Sequence, residues 1–164
     1  MKIIISFQKK LYKVNWFEKL YIKAIKLWTK SKYFHTEIIF SNKRISAYTN
    51  TGVNVYYFEN NFDFKHFDYY EINVLEPTSY QEMLIWNYIN EQIETGYDWN
   101  GIFFSQIFRL GINNPNKWFC SEIVVKILQL FLFEPVLDCL PNKVSPAKLY
   151  KLIKDKSIKI EPEE

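Results

Sequence analysis

The 164 residues carry 21 Lys and Arg against 18 Asp and Glu, a formal net charge of +3, and 48% of them are hydrophobic and 19% aromatic. That length suits one domain, residues 1–164, with a continuous apolar core, and that composition excludes an extensively disordered chain. The small positive excess gives no ground for a specific nucleic-acid partner.

The opening apolar run, Ile3 to Ile5, is far shorter than a signal-peptide core and has no small-residue cleavage site after it. The longest apolar stretch, Ile123 to Phe133, is interrupted by Lys126 and Gln129 and is too short to cross a bilayer, so no transmembrane segment is expected. Two cysteines, Cys120 and Cys139, do not make a disulfide scaffold, and a reducing, cytoplasmic setting is the simpler expectation.

Ile3 to Phe7 reads as a short strand. Asn15 followed by Trp16, Leu20, Ile22, Ile25 and Leu27 predicts a capped helix through about Thr29. His35 to Phe40 and Arg44 to Tyr48 are rich in β-branched and aromatic residues, and Ser41-Asn42-Lys43 between them makes a hairpin turn. Thr51-Gly52 turns the chain into a third strand on Val53, Val55 and Tyr57, and Tyr69 to Leu75 predicts a fourth.

Pro77-Thr78-Ser79 opens a helix expected to place Met83, Leu84, Trp86, Ile89 and Ile93 on one side and to stop at Gly96. A second helix is expected over Asp98 to Leu110, followed by a loop through Gly111 and Asn113-Asn114-Pro115-Asn116. Cys120 then heads a helix whose Ile123, Val124, Ile127, Leu128 and Phe131 share a buried face, with its end set by Pro135. Ser145-Pro146 starts a last helix before the charged, frayed terminus Glu161-Pro162-Glu163-Glu164.

A cysteine in the first turn of a helix meets unpaired backbone N–H groups and the positive end of the helix dipole, both of which stabilise a thiolate. Cys120 occupies such a position, and a histidine must supply the accompanying cation and proton acceptor. His35 and His66 are the candidates. His35 opens an apolar strand able to aim its ring, whereas His66 lies in the polar and aromatic segment Asn60 to Asp68, from which it could meet a substrate. Cys139, beside Asp138 and Pro141, reads as structural. No paired C-x-x-C or H-x-x-x-H element supports a metal site, and no glycine-rich loop supports nucleotide binding, so no cofactor is expected.

Four stretches carry a family likeness: Leu27-Trp28-Thr29-Lys30-Ser31-Lys32-Tyr33-Phe34-His35-Thr36-Glu37, then Gly96-Tyr97-Asp98, then Trp118-Phe119-Cys120-Ser121-Glu122, and Ser145-Pro146 with Leu149-Tyr150. In this order, histidine strand first and cysteine helix late, the chain resembles the circularly permuted NlpC/P60 branch of the papain-like cysteine hydrolases. That branch includes YiiX-like and poxvirus-type groups and small phage proteins. The resemblance implies an α+β fold in which an antiparallel sheet packs against helices with the nucleophile at a helix N-terminus.

It further implies attack by Cys120 on an acyl carbon with His35 as base, and so a peptide, amide or other acyl substrate. Glu37, two residues along the same strand, or alternatively Ser46 on the next strand, would orient the imidazole. Glu37 shares a face with His35, at a spacing long for a direct hydrogen bond. The Cys120 backbone N–H and the Tyr97 hydroxyl are candidate oxyanion donors, and Trp118 a candidate substrate contact. Glu122 is read as a structural carboxylate, because an acid beside the nucleophile opposes the thiolate. Two alternatives stand beside a peptidase or amidase. One is a lipid-type acyltransferase or thioesterase; the other is a binding or structural protein, for example a virion component, that keeps the fold without turnover.

Overall fold

In a computed structural model, the structure describes residues 1–12, 16–93, 95–97 and 117–162. It is an α+β fold. Six antiparallel strands form one sheet: β1 (Lys2–Gln8), β2 (His35–Phe40), β3 (Lys43–Tyr48), β4 (Gly52–Tyr57), β5 (Phe67–Asn73) and β8 (Ser157–Ile160). They run in the order β4-β3-β2-β1-β5-β8. A small parallel pair, β6 (Gly96–Tyr97) and β7 (Lys117–Trp118), stands apart from it. The described helices are α1 (Trp16–Thr29), α2 (Ser79–Gln92), α3 (Cys120–Leu130) and α4 (Pro146–Ile153), none long and apolar enough to cross a membrane.

Alternation along β1 assigns the two faces of the sheet. Ile3, Ile5 and Phe7 enter the larger core, while Ile4 joins a second cluster and Ser6 bonds to Glu37 across from it. The same parity sends Ile38 and Phe40 of β2 to the larger core and leaves His35, Glu37 and Ile39 for the other side. Ser41 and Asn42 take φ of 47° and 55°, so the β2–β3 connection is a two-residue left-handed turn whose twist matches that of the strands.

Helix α3 covers the larger core. Ile123, Val124, Val125, Ile127 and Leu128 are all fully buried against it, each contributing roughly 1.5–3 kcal/mol through removal from water. The helix ends not at Pro135 but at Phe131, because Leu132 turns left-handed (φ 54°) and the N–H of Phe133 returns to the carbonyl of Leu128. Pro135 sits beyond, in the short 3-10 turn Glu134–Val136.

Helix α2 begins as expected, with Thr78 and Gln81 in a reciprocal capping box. Its buried face, however, is Ile85 and Ile89; Met83 and Leu84 are about half exposed, so the apolar side was misjudged. The helix also stops before Gly96, which pairs with Lys117 in β6 instead of capping it. Strand β5 starts two residues earlier than the pattern suggested, and β8, paired to it from Ser157, was not foreseen. The expected helix over Asp98 to Leu110 and the loop after it lie outside the described residues, as does the Asn15 cap.

Asp68 fastens one end of the sheet. Its carboxylate accepts from Lys9, Lys32 and the hydroxyl of Tyr33, which also meets Tyr70 at 3.1 Å, while Tyr150 of α4 packs its ring against Phe7, Tyr33 and Tyr70. Burial alone would raise this carboxyl, but the lysines and Tyr33 outweigh it and hold Asp68 at about 2. A depressed carboxyl stabilises the fold above its ordinary value of 3.8 and loses that contribution as pH falls toward 2. Asp68→Asn is therefore expected to flatten the acid limb of a stability–pH profile between those values, read by urea unfolding. A limb unchanged in the variant would assign acid sensitivity to other carboxyls.

Candidate active site

Helix α3 packs on β2 and β3, and its first residue, Cys120, comes close to His35 at the start of β2. The first turn of α3 has Phe119 as its N-cap, in extended conformation and with no side-chain cap bond; the Glu122 and Ile123 N–H groups bond to the Phe119 carbonyl, and those of Cys120 and Ser121 lead the helix. Ser121 behind the thiol donates to the carbonyl of Val144 at 2.6 Å, tying this turn to the segment that leads into α4. Cys120 itself is buried.

His35 is the first residue of β2, paired with Gln8, and its ring is mostly covered. The imidazole lies close enough to the Cys120 thiol to feel its charge, and its Nε2 stands 3.5 Å from Oε1 of Glu37. Glu37 was expected at a spacing long for a direct bond, and at 3.5 Å it faces the ring as an ion-pair contact beyond the usual hydrogen-bond distance. Burial by itself disfavours the imidazolium. The charge and hydrogen bond of Cys120, then those of Glu37, outweigh it and push His35 up to about 10.

Three further groups hold Glu37. Tyr48 donates its hydroxyl to Oε1 and Ser6 donates to Oε2, both at 3.0 Å; Arg44 Nε lies 3.4 Å from Oε2 and stacks its guanidinium over Phe58. Burial would raise the Glu37 carboxyl, but His35, Arg44 and Ser6 keep it below its usual value, so it is a carboxylate. Tyr48 moves the opposite way: burial and the Glu37 charge raise its phenol, which stays protonated and able to donate. Ser6, Arg44 and Tyr48 were missed in the sequence. One signal was present, since Ser6 interrupts the apolar run Ile3 to Phe7 on the parity that faces Glu37.

The other candidates separate. Ser46 is fully buried and donates to the carbonyl of Thr36 at 2.7 Å, so its hydroxyl stitches β3 to β2 and does not orient the imidazole. Trp118 packs on α2, its indole N–H donating to Gln92 Oε1 at 2.9 Å with Tyr88 edge-on beside it, a positioning contact for β7. The Tyr97 backbone pairs with Trp118, but its side chain lies outside the described residues. His66 is engaged by Asp63 at 2.8 Å and stacked on Tyr12, and it is not among the residues lining the cleft. Cys139 packs at the edge of the core and its carbonyl accepts from Gln129, a structural place. Glu122 is buried, and its charge adds to the burial that raises Tyr88. Among the described residues no three His, Cys, Asp or Glu side chains gather to hold a metal.

A cleft of about 930 Å³ opens on the second face of the sheet. His35, Glu37, Arg44 and Tyr48 lie on one wall, and Ile22, Ile25, Phe34 and Phe67 form an apolar stretch of the lining. A concave, partly apolar space beside a titratable cluster can bury a small substrate group; His35 borders it, and Cys120 is not among its lining residues. No family model, curated protein or solved structure matches the chain.

Proposed function

We propose that the protein is a cysteine hydrolase of amide or ester bonds, with the permuted papain-like arrangement that its motif order resembles. The observation that carries this reading is the closeness of Cys120, in the first turn of α3, to His35, which is itself paired with the Glu37 carboxylate. Nε2 faces Glu37, which leaves Nδ1 as the nitrogen for the sulfur.

The thiolate would attack the acyl carbon, and the developing oxyanion would be met by the backbone N–H groups of Cys120 and Ser121 at the start of α3. As the bond from acyl carbon to the leaving nitrogen or oxygen breaks, the His35 imidazolium gives it a proton. Neutral His35 then takes a proton from water, hydroxide adds to the thioester carbon, and the thiolate departs with its electron pair. Glu37 keeps the ring oriented and favours its charged form. The apolar lining supports a second reading within the same chemistry, a lipid-type acyl substrate whose chain lies along Ile22, Ile25, Phe34 and Phe67.

Alkylation by iodoacetamide, followed by mass spectrometry on the folded chain, tests this without a substrate. Cys120 is expected to react at least tenfold faster than Cys139 near pH 6, despite being the more buried of the two, and to lose that lead in His35→Ala. Equal reactivity, or a lead indifferent to His35, would turn the assignment toward a binding or structural role.

A further inference from the structure

Helix α1 presents two different sides. Ile22 and Ile25 face the cleft, and Lys26 turns inward to the carbonyl of Lys9 and the ring of Phe34. At a period of 3.6 residues, Trp16, Leu20 and Leu27 fall in one line on the outside, 67%, 61% and 82% exposed. Lys19 and Lys23 run beside that line, also exposed, and exposed Lys30 follows its end. The charge here is lopsided: residues 9–32 hold eight lysines and a single acid, Glu18, in a chain whose net charge is only +3.

Large exposed leucines in a row are costly in water and unsuited to a nucleic-acid surface, whereas lysines flanking them suit a negatively charged one. We infer that the outer face of α1 docks in the plane of an anionic lipid bilayer, with Trp16, Leu20 and Leu27 entering the headgroup boundary and Lys19, Lys23 and Lys30 reaching lipid phosphates. A helix of 14 residues lies on such a surface and does not span it. The inference is independent of the cysteine chemistry, although docking would bring the cleft, lined by the inner side of the same helix, to the lipid surface.

The test is co-sedimentation of the full chain with vesicles of phosphatidylcholine alone or mixed with phosphatidylserine, at low and at physiological salt. Binding is expected to the mixed vesicles alone and to weaken with salt. A Lys19→Gln, Lys23→Gln, Lys30→Gln variant should lose roughly a hundredfold in affinity, since each lysine near an anionic surface is worth about a fivefold factor. Leu20→Ser with Leu27→Ser should lose at least roughly tenfold while leaving circular dichroism unchanged, because both side chains are largely exposed. No binding to the mixed vesicles at low salt overturns the inference. So does binding indifferent to Leu20 and Leu27, or a dimer in solution that dissociates in the double variant and shows no lipid affinity.

Discussion

Gly52→Ala is expected to lower the unfolding free energy by roughly 3–5 kcal/mol, and the melting temperature by about 10 °C, in a chain of this size. A Cβ at this position would lie 1.9 Å from the carbonyl oxygen of Thr95 and 2.8 Å from its carbon. Both are backbone atoms, so no side-chain rotation relieves the overlap. The backbone conformation, φ +69°, adds a further penalty of about 1–2 kcal/mol for any residue with a Cβ. The same Thr95 carbonyl accepts from Val53 N–H at 3.1 Å, and moving it shifts β6, which begins at the next residue.

The consequence reaches the candidate nucleophile. Strand β6 holds β7 through the pairs Gly96–Lys117 and Tyr97–Trp118, and Cys120 follows two residues later. Scanning calorimetry together with the alkylation assay should therefore show a lower melting temperature and a Cys120 rate that falls toward that of Cys139. A variant melting within a degree or two of the parent would mean that β6 does not rest on Gly52 in solution.

Glu37→Gln is expected to cost roughly 2–4 kcal/mol and to slow Cys120 alkylation by about tenfold. The amide keeps the shape of the carboxylate but must turn one N–H₂ toward existing donors. On the Oε2 side it would meet Arg44 and Ser6, on the Oε1 side Tyr48 and the His35 ring. Hydroxyls can rotate to accept; a guanidinium cannot. The figure stays moderate because Arg44 is 26% exposed and water screens part of its stranded charge.

Two controls separate the terms. Adding Arg44→Met to Glu37→Gln removes the stranded cation and should recover part of the stability without recovering alkylation. The pH dependence gives the other. His35 is raised from 6.5 to about 10, so its stabilising contribution is complete below 6.5 and lost as pH rises through about 10. Without the Glu37 charge this alkaline limb should retreat to lower pH. If Glu37→Gln leaves both the limb and the alkylation rate in place, Glu37 does not position the imidazole.

Much of the frame was legible from local pattern. Alternation located β1 to β4, capping chemistry located the starts of α2 and α4, and the apolar spacing after Cys120 located α3, because these signals depend on residues within a turn or two of one another. Cys120 with His35 was reachable as a candidate pair, since the chain offers few thiols and imidazoles and one cysteine stands at a helix start.

Other features depend on what lies across the sheet. Ser46 and Glu37 are both polar residues on adjacent strands, and register decided between them: Ser46 met the Thr36 carbonyl while Glu37 met Ser6, Tyr48 and His35. Gly96 looked like a helix stop, yet strand pairing to Lys117 and the nearby Gly52–Thr95 contact gave it another place. Strand β8 was invisible because Ile158 and Ile160 are interleaved with lysines, and its order comes from hydrogen bonds to β5. Composition and local periodicity thus determined the α+β class, most elements and the choice of Cys120 as candidate nucleophile. The partners of Glu37 and the course of the chain into Cys120 were decided by tertiary structure, since long-range hydrogen bonds and backbone contacts join residues that no local pattern relates.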